Sequence, residues 1–305
     1  NWGGHGRHLR GNVEAFVRAA STQKWLEIHG LEHWTHFYTD YGLGLQKRFF
    51  DHFLKGIDNG WDREPPVLLN IRHIDRFVLR KEREWPLART RWTRLYLNPA
   101  ERSLSWEAIP RESAVTYEAL GNGVTFRTPP FREETEITGP VAAKLFISST
   151  TTDADLFLIL QLFDPEGREV TFQGALEPRA PIAQGWLRAS HRKLNPELTT
   201  AYRPYHSHDE IQPLTPGEVY EVDVEIWPTS IVVPPGYSLA LTIQGKDFER
   251  EAPSGELGFW GAFRGSGPFL HNHPWDRRPE IYGGRVTVFG GGARSSYLLL
   301  PIIPG

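Results

Sequence analysis

The chain has 305 residues, a net charge of −3, no Cys and no Met, with 39% hydrophobic and 23% charged residues and 11 Trp. That apolar content is enough to fill cores and excludes a disordered chain, and the near-neutral balance excludes a global basic footprint for nucleic acid. The lack of Cys excludes disulfides, zinc thiolates and a thiol nucleophile, and no apolar run approaches the roughly 18 residues of a membrane helix.

In chain order, Asn1-Trp2-Gly3-Gly4-His5-Gly6 reads as a buried strand end running into a turn. With no initiating Met before it, the chain is expected to be a fragment with a segment missing upstream. Gly11-Asn12 should open a helix with Val13, Phe16, Val17 and Ala20 on one face. Lys24 to Gly30 reads as a short strand ending at glycine. A second helix is predicted from about Leu43 to Lys55, with a buried stripe of Leu45, Phe49, Phe50, Phe53 and Leu54 and Gly56 as its stop. Helix, strand, loop, helix is one repeat of a parallel α/β sheet. Asp58-Asn59-Gly60 and Arg63-Glu64-Pro65-Pro66 punctuate the chain as a linker, and Val67 to Arg72 and Arg91 to Leu97 read as strands.

From about residue 90 the texture changes. Tyr220 to Ile226 alternates apolar with acidic residues, the period of a half-buried strand. Leu239, Leu241 and Ile243 alternate with Ala240, Thr242 and Gln244. Leu156 to Phe163 is apolar at nearly every position and should be a central strand covered on both faces, closed by a turn at Asp164-Pro165-Glu166-Gly167. Short strands separated by turn signals, with no comparable helical run, predict a β-sandwich of jelly-roll type.

No G-x-S-x-G elbow is present to place a nucleophilic Ser on a strand-to-helix turn. The densest histidine cluster is His29, His33 and His36, on the loop after a predicted strand, where ligands and catalytic groups gather in open α/β sheets. A His there can take a proton from a Ser hydroxyl, and three could bind zinc. On pattern alone a polar surface loop outweighs catalysis, and a metal comes third. His206-x-His208, His271-x-His273 and Ser190-His191 lie among loop residues, without an identifiable third ligand or a triad geometry. The Trp residues could stack on sugar rings, although most Trp bury their area in cores.

Together these segments resemble the C-terminal portion of the cocaine-esterase-like (CocE/NonD) hydrolases, relatives of the bacterial X-prolyl dipeptidyl peptidases. The resemblance rests on Asn1 to Gly6, Arg10-Gly11-Asn12, Lys24 to Gly30, Arg48 to Gly56, Thr152 to Phe157, Asp164 to Gly167, Gly185 to Arg192 and Leu214 to Glu218, in that order. It implies the C-terminal part of an α/β-hydrolase domain over residues 1–65, a connection over 66–90 and a jelly-roll β-sandwich over 91–305. It implies ester or amide cleavage by a Ser-His-Asp triad whose Ser lies upstream, with His33 as general base. Trp2, His5 and Trp34 become pocket candidates because they flank the two strand ends. The family's acid usually follows a Gly-Trp segment, but Trp2 to Gly6 contains no carboxylate, so the acid is unassigned. The expected partner is a small ester or amide, with no cofactor, metal, nucleic acid or membrane. A cytoplasmic location is expected, and a homo-oligomer stays open. The competing reading is a non-catalytic β-sandwich that binds glycans or other partners.

Overall fold

In the computed structural model, residues 1–4, 8–32, 34–175, 177–250 and 270–305 are described. The first helix, α1 (Leu9–Arg18), starts two residues before Gly11 because Leu9, with Val13, is buried; Ala20 falls beyond its end. The strand β1 (Leu26–Ile28) follows. After a single turn, α2 (Thr35–Tyr38), the long helix α3 (Asp40–Lys55) begins three residues earlier than its apolar stripe suggests. The reason is a cap: the Thr39 side chain accepts from the Gly42 amide at 3.1 Å, and Asp40 places an acid in the first turn. Gly56 ends the helix in the left-handed region, at φ 66°.

The predicted stripe of α3 is only partly buried. Successive helical positions rotate by about 100°, so Phe49 and Phe53 face Trp25, at 6.3 and 5.9 Å between ring centroids, while Phe50 and Leu54 stand beside that line and remain exposed. Phe53 itself stays 40% exposed.

Strands β2 (Val67–Arg72) and β3 (Phe77–Glu82) complete a small sheet. β1 pairs with β2 in parallel, Leu26 opposite Val67, with α2 and α3 in the crossover; β2 and β3 are antiparallel. The remaining strands are β4 (Arg91–Asn98), β5 (Ser103–Ser105), β6 (Ser113–Glu118), β7 (Val124–Arg127), β8 (Thr135–Ser149), β9 (Asp155–Phe163), β10 (Glu169–Val170), β11 (Ala183–Arg188), β12 (Tyr220–Val233), β13 (Ser238–Gln244), β14 (Arg285–Gly290) and β15 (Tyr297–Ile303). Pairing runs β12-β11-β9-β13-β7-β5-β4-β15-β8, and β8 pairs again with β12, so the sheet closes into a ring. β14 and β6 continue from β8, and β10 flanks β9. The ring interior holds the main core, to which β9 contributes Leu156, Leu158, Leu160 and Leu162. As expected, β9 is buried on both faces over nearly its whole length, and β12 alternates over its first half. Among the described residues, no helix is long and apolar enough to cross a membrane.

The small sheet does not complete its own core. Trp2, Leu9, Val13, Leu26, Ile28, Val67, Leu69 and Ile71 cluster with Val232 and Ile303 of the ring. At the end of β2, Arg72 is 1% exposed. Its Nε donates to the Ser230 carbonyl at 2.8 Å, and its Nη2 donates to the Ile182 carbonyl and to Thr229 Oγ1, both at 2.9 Å. The guanidinium lies over the Phe172 ring, 4.2 Å from its centroid. No carboxylate pairs with it among the described residues. Burial pulls its pKa down to about 9, so it is still a cation at neutral pH.

Replacing both members of a buried polar pair with apolar groups can be harmless, but Arg72→Met removes only the donor and leaves the carbonyls buried. It should lower unfolding stability by on the order of 3 kcal/mol, read as a lower urea midpoint. An unchanged midpoint would mean the network adds no net stability.

Candidate active site

The histidine loop singled out in the sequence follows the end of β1. Burial along the strand alternates, Leu26 and Ile28 inward and Glu27 on the other face. His29 follows at the strand end, and its carbonyl accepts from the Trp2 amide at 3.0 Å. The Asn1 side chain donates to the Leu31 carbonyl, so the first residues are tied to the histidine loop.

Of the three loop histidines, the structure brings two together. The His29 and His36 rings stack with centroids 4.3 Å apart and planes 16° apart. His36 Nε2 lies 2.9 Å from Glu27 Oε1. An ionised carboxylate only accepts, so Nε2 of His36 is the donor in this contact. Tyr41 lies against the same group, 5.0 Å from the His36 ring. Burial, and then the Glu27 carboxylate, hold the Tyr41 phenol up at about 12. A carboxylate, an oriented imidazole and a neutral phenol thus share the space beyond β1, a set suited to proton transfer.

Glu27 was not singled out from the sequence, yet it is the carboxylate that pairs with His36, and it stands on the strand that leads into the loop. The signal was present in the period of two, which puts Glu27 opposite the buried Leu26 and Ile28.

His33, the expected base, and His5 lie outside the described residues. Trp2 is not a pocket wall: it is fully buried in the small core, and its Nε1 donates to the Asn70 carbonyl at 2.7 Å. Its neighbour Gly3 shows why the motif is structural here. A Cβ at Gly3 would sit 2.3 Å from the Gly174 Cα, and the Gly3 carbonyl accepts from Ala175. Trp34 is 39% exposed at the start of α2. Among the described residues, no group of three or more His, Cys, Asp or Glu could hold a metal ion.

A parallel crossover leading into a closed β ring is the architecture of the C-terminal half of a known hydrolase. The CocE/NonD family hydrolase of Staphylococcus aureus superposes on this chain with a TM-score of 0.87 and 28% identity, covering 99% of this chain and 53% of that one. A candidate serine esterase of Mycobacterium bovis is 30% identical over 66% of this chain and 35% of its own length. The cocaine esterase of a Rhodococcus species is 26% identical over 68% of this chain and 38% of its own. The chain therefore spans about a third of these two curated relatives. The fold class is thus the C-terminal portion of a CocE/NonD-type hydrolase. Residues 59–257 match the X-Pro dipeptidyl-peptidase C-terminal non-catalytic domain, and the chain belongs to that family.

If Glu27 orients His36, long-range proton–nitrogen correlation spectra should show a single Nε2–H tautomer of His36. In Glu27→Leu both tautomers should be populated. An Nδ1–H form in the unaltered protein would refute the assignment.

Proposed function

We propose that this chain is the C-terminal portion of a serine hydrolase that cleaves small acyl esters or amides, with its nucleophilic Ser on an upstream segment. Residues 1–65 are read as the end of the α/β-hydrolase domain, 66–90 as the connection and 91–305 as the jelly roll. The observation that carries this reading is the similarity over 99% of the chain to a CocE/NonD hydrolase. The names of the relatives, serine esterase and cocaine esterase, point to acyl transfer.

In the proposed mechanism the Ser hydroxyl attacks the substrate carbonyl while His33 accepts its proton. Upstream donors stabilise the oxyanion, and His33 returns the proton to the leaving oxygen or nitrogen. The His36–Glu27 pair comes from the two elements that flank the loop of His33 and supports this reading with a second imidazole already oriented by a carboxylate. The β ring walls the active site and limits substrate size.

A second reading has its own support, because the matched family is described as non-catalytic. In that reading the ring is a binding module and any chemistry belongs to the rest of the protein.

In the full-length protein, His33→Ala should lower ester hydrolysis by about 10³-fold or more and leave the melting temperature unchanged. A fluorophosphonate should label the unaltered full-length protein on an upstream Ser. Activity within a few-fold of the starting level would exclude His33 as the base. Absence of labelling together with absence of ester turnover would favour the binding module.

A further inference from the structure

Three histidine motifs that the sequence leaves in separate loops meet in one cleft of about 510 Å³, between α1 and the strands β9, β11 and β12. His191 Nδ1 faces His208 Nδ1 at 3.1 Å, and the His206 ring lies 6.1 Å from that of His208. His271, across the cleft, lies 6.5 Å from Trp186. Trp186 of β11 and Trp227 of β12 meet nearly at right angles, 5.3 Å apart at 76°. The Trp186 indole N–H is buried and has no hydrogen-bond partner among the described residues.

We propose that this cleft binds a neutral saccharide, with Trp186 and Trp227 as its apolar corner and the Arg188–Asp276 pair as its hydrogen-bonding wall.

The charges decide the ligand class. Arg188 Nη1 and Nη2 hold Asp276 at 2.9 and 3.1 Å, while its Nε and Nη2 hold Asp155 at 2.8 and 3.1 Å. Arg10 holds Glu225 at 2.8 Å. An anion would have to displace Asp276 from Arg188, and a cation would have to displace Arg188 from Asp276. A neutral polyol needs neither exchange, because the Asp276 carboxylate keeps lone pairs and the Arg188 guanidinium keeps one N–H for vicinal hydroxyls. Two of the imidazoles are pushed toward the neutral form. Burial holds His206 and His208 below their ordinary value, and the facing His191 adds to this at His208. The Asp247 carboxylate pairs with His271. A wholly apolar ligand would desolvate these groups without replacing their hydrogen bonds. The C–H face of a pyranose can lie on an indole while its hydroxyls turn to the polar wall, and the volume falls within the usual range of ligand sites, about 300–1,000 Å³.

This proposal does not rest on the proposed hydrolase chemistry, so the two can fail independently. Calorimetric titration of the full-length protein with maltose, cellobiose and N,N′-diacetylchitobiose tests it, with citrate and choline as charged controls. At least one sugar should bind one-to-one with Kd on the order of 1 mM. Asp276→Ala, at an exposed side chain, should weaken that binding about ten-fold, and Trp227→Phe should weaken it as well. His33→Ala should leave it unchanged, and Asp276→Ala should leave fluorophosphonate labelling unchanged. No binding of any of the three sugars at about 10 mM would overturn the proposal. So would tighter binding of citrate or choline, or sugar binding indifferent to both cleft variants.

Discussion

The arrangement of this chain depends on a buried guanidinium that has no carboxylate partner among the described residues. Moving a cation out of water costs several kcal/mol even after relaxation, and Arg72 meets that cost with two backbone carbonyls, one hydroxyl and an aromatic face. Those groups come from three places in the β ring and its loops, near Phe172, Ile182 and Thr229-Ser230. The end of β2 can therefore satisfy Arg72 only when the ring is already assembled beside it. Thr229 strengthens the arrangement by donating to the same Ile182 carbonyl at 2.8 Å, and Thr138 meets Ser230 at 3.0 Å. Around this buried centre the rim is ionic: Arg80 holds Glu136 with two bonds of 2.8 Å, and Arg10 holds Glu225. The small sheet and the ring thus pack as one unit, and the end of β1 keeps a fixed orientation relative to the ring.

Much of the fold was legible where a single strand or helix decides its own pattern. β9 is apolar throughout because both its faces are covered, and β12 alternates because one face is not. What failed was reading width and partner choice. The α3 stripe was drawn too wide, since Phe50 and Leu54 differ from Phe49 and Phe53 by one helical step and face away from Trp25. The parallel character of the small sheet was read, but the partner of β1 was hidden, because register between strands some forty residues apart leaves no local mark.

The site was less legible than the fold for the same reason. The Trp2-Gly3-Gly4 segment signals close approach, and close approach can mean a ligand or another stretch of backbone. Here it is backbone, with Gly174 against Gly3 and Trp2 sealed in the core. Glu27 and His36 are nine positions apart and on different elements, yet their side chains meet. His191 and His208 meet across seventeen positions. Spacing rules find ligands that share one helix or strand, and these pairs share neither.

The partners of the imidazoles separate two kinds of chemistry. A general base must become an imidazolium for part of the cycle, and a carboxylate on the opposite nitrogen stabilises that charge. His36 has such a carboxylate in Glu27. His191 and His208 instead face each other through Nδ1, so one must donate and the other accept, and both cannot carry charge without repulsion. That pair is suited to fixed hydrogen bonding of a neutral group and poorly suited to proton transfer. His271 does have a carboxylate, Asp247, which raises its pKa, and its ring is 56% exposed at the cleft rim. Among the described residues, the histidine–carboxylate pair at the end of β1 is therefore the one arranged for proton transfer, and the facing His191–His208 pair suits the recognition proposed for the cleft. Helix α1 joins the two regions: Leu9 belongs to the core that seats Trp2, and Arg10, one residue on, lines the cleft.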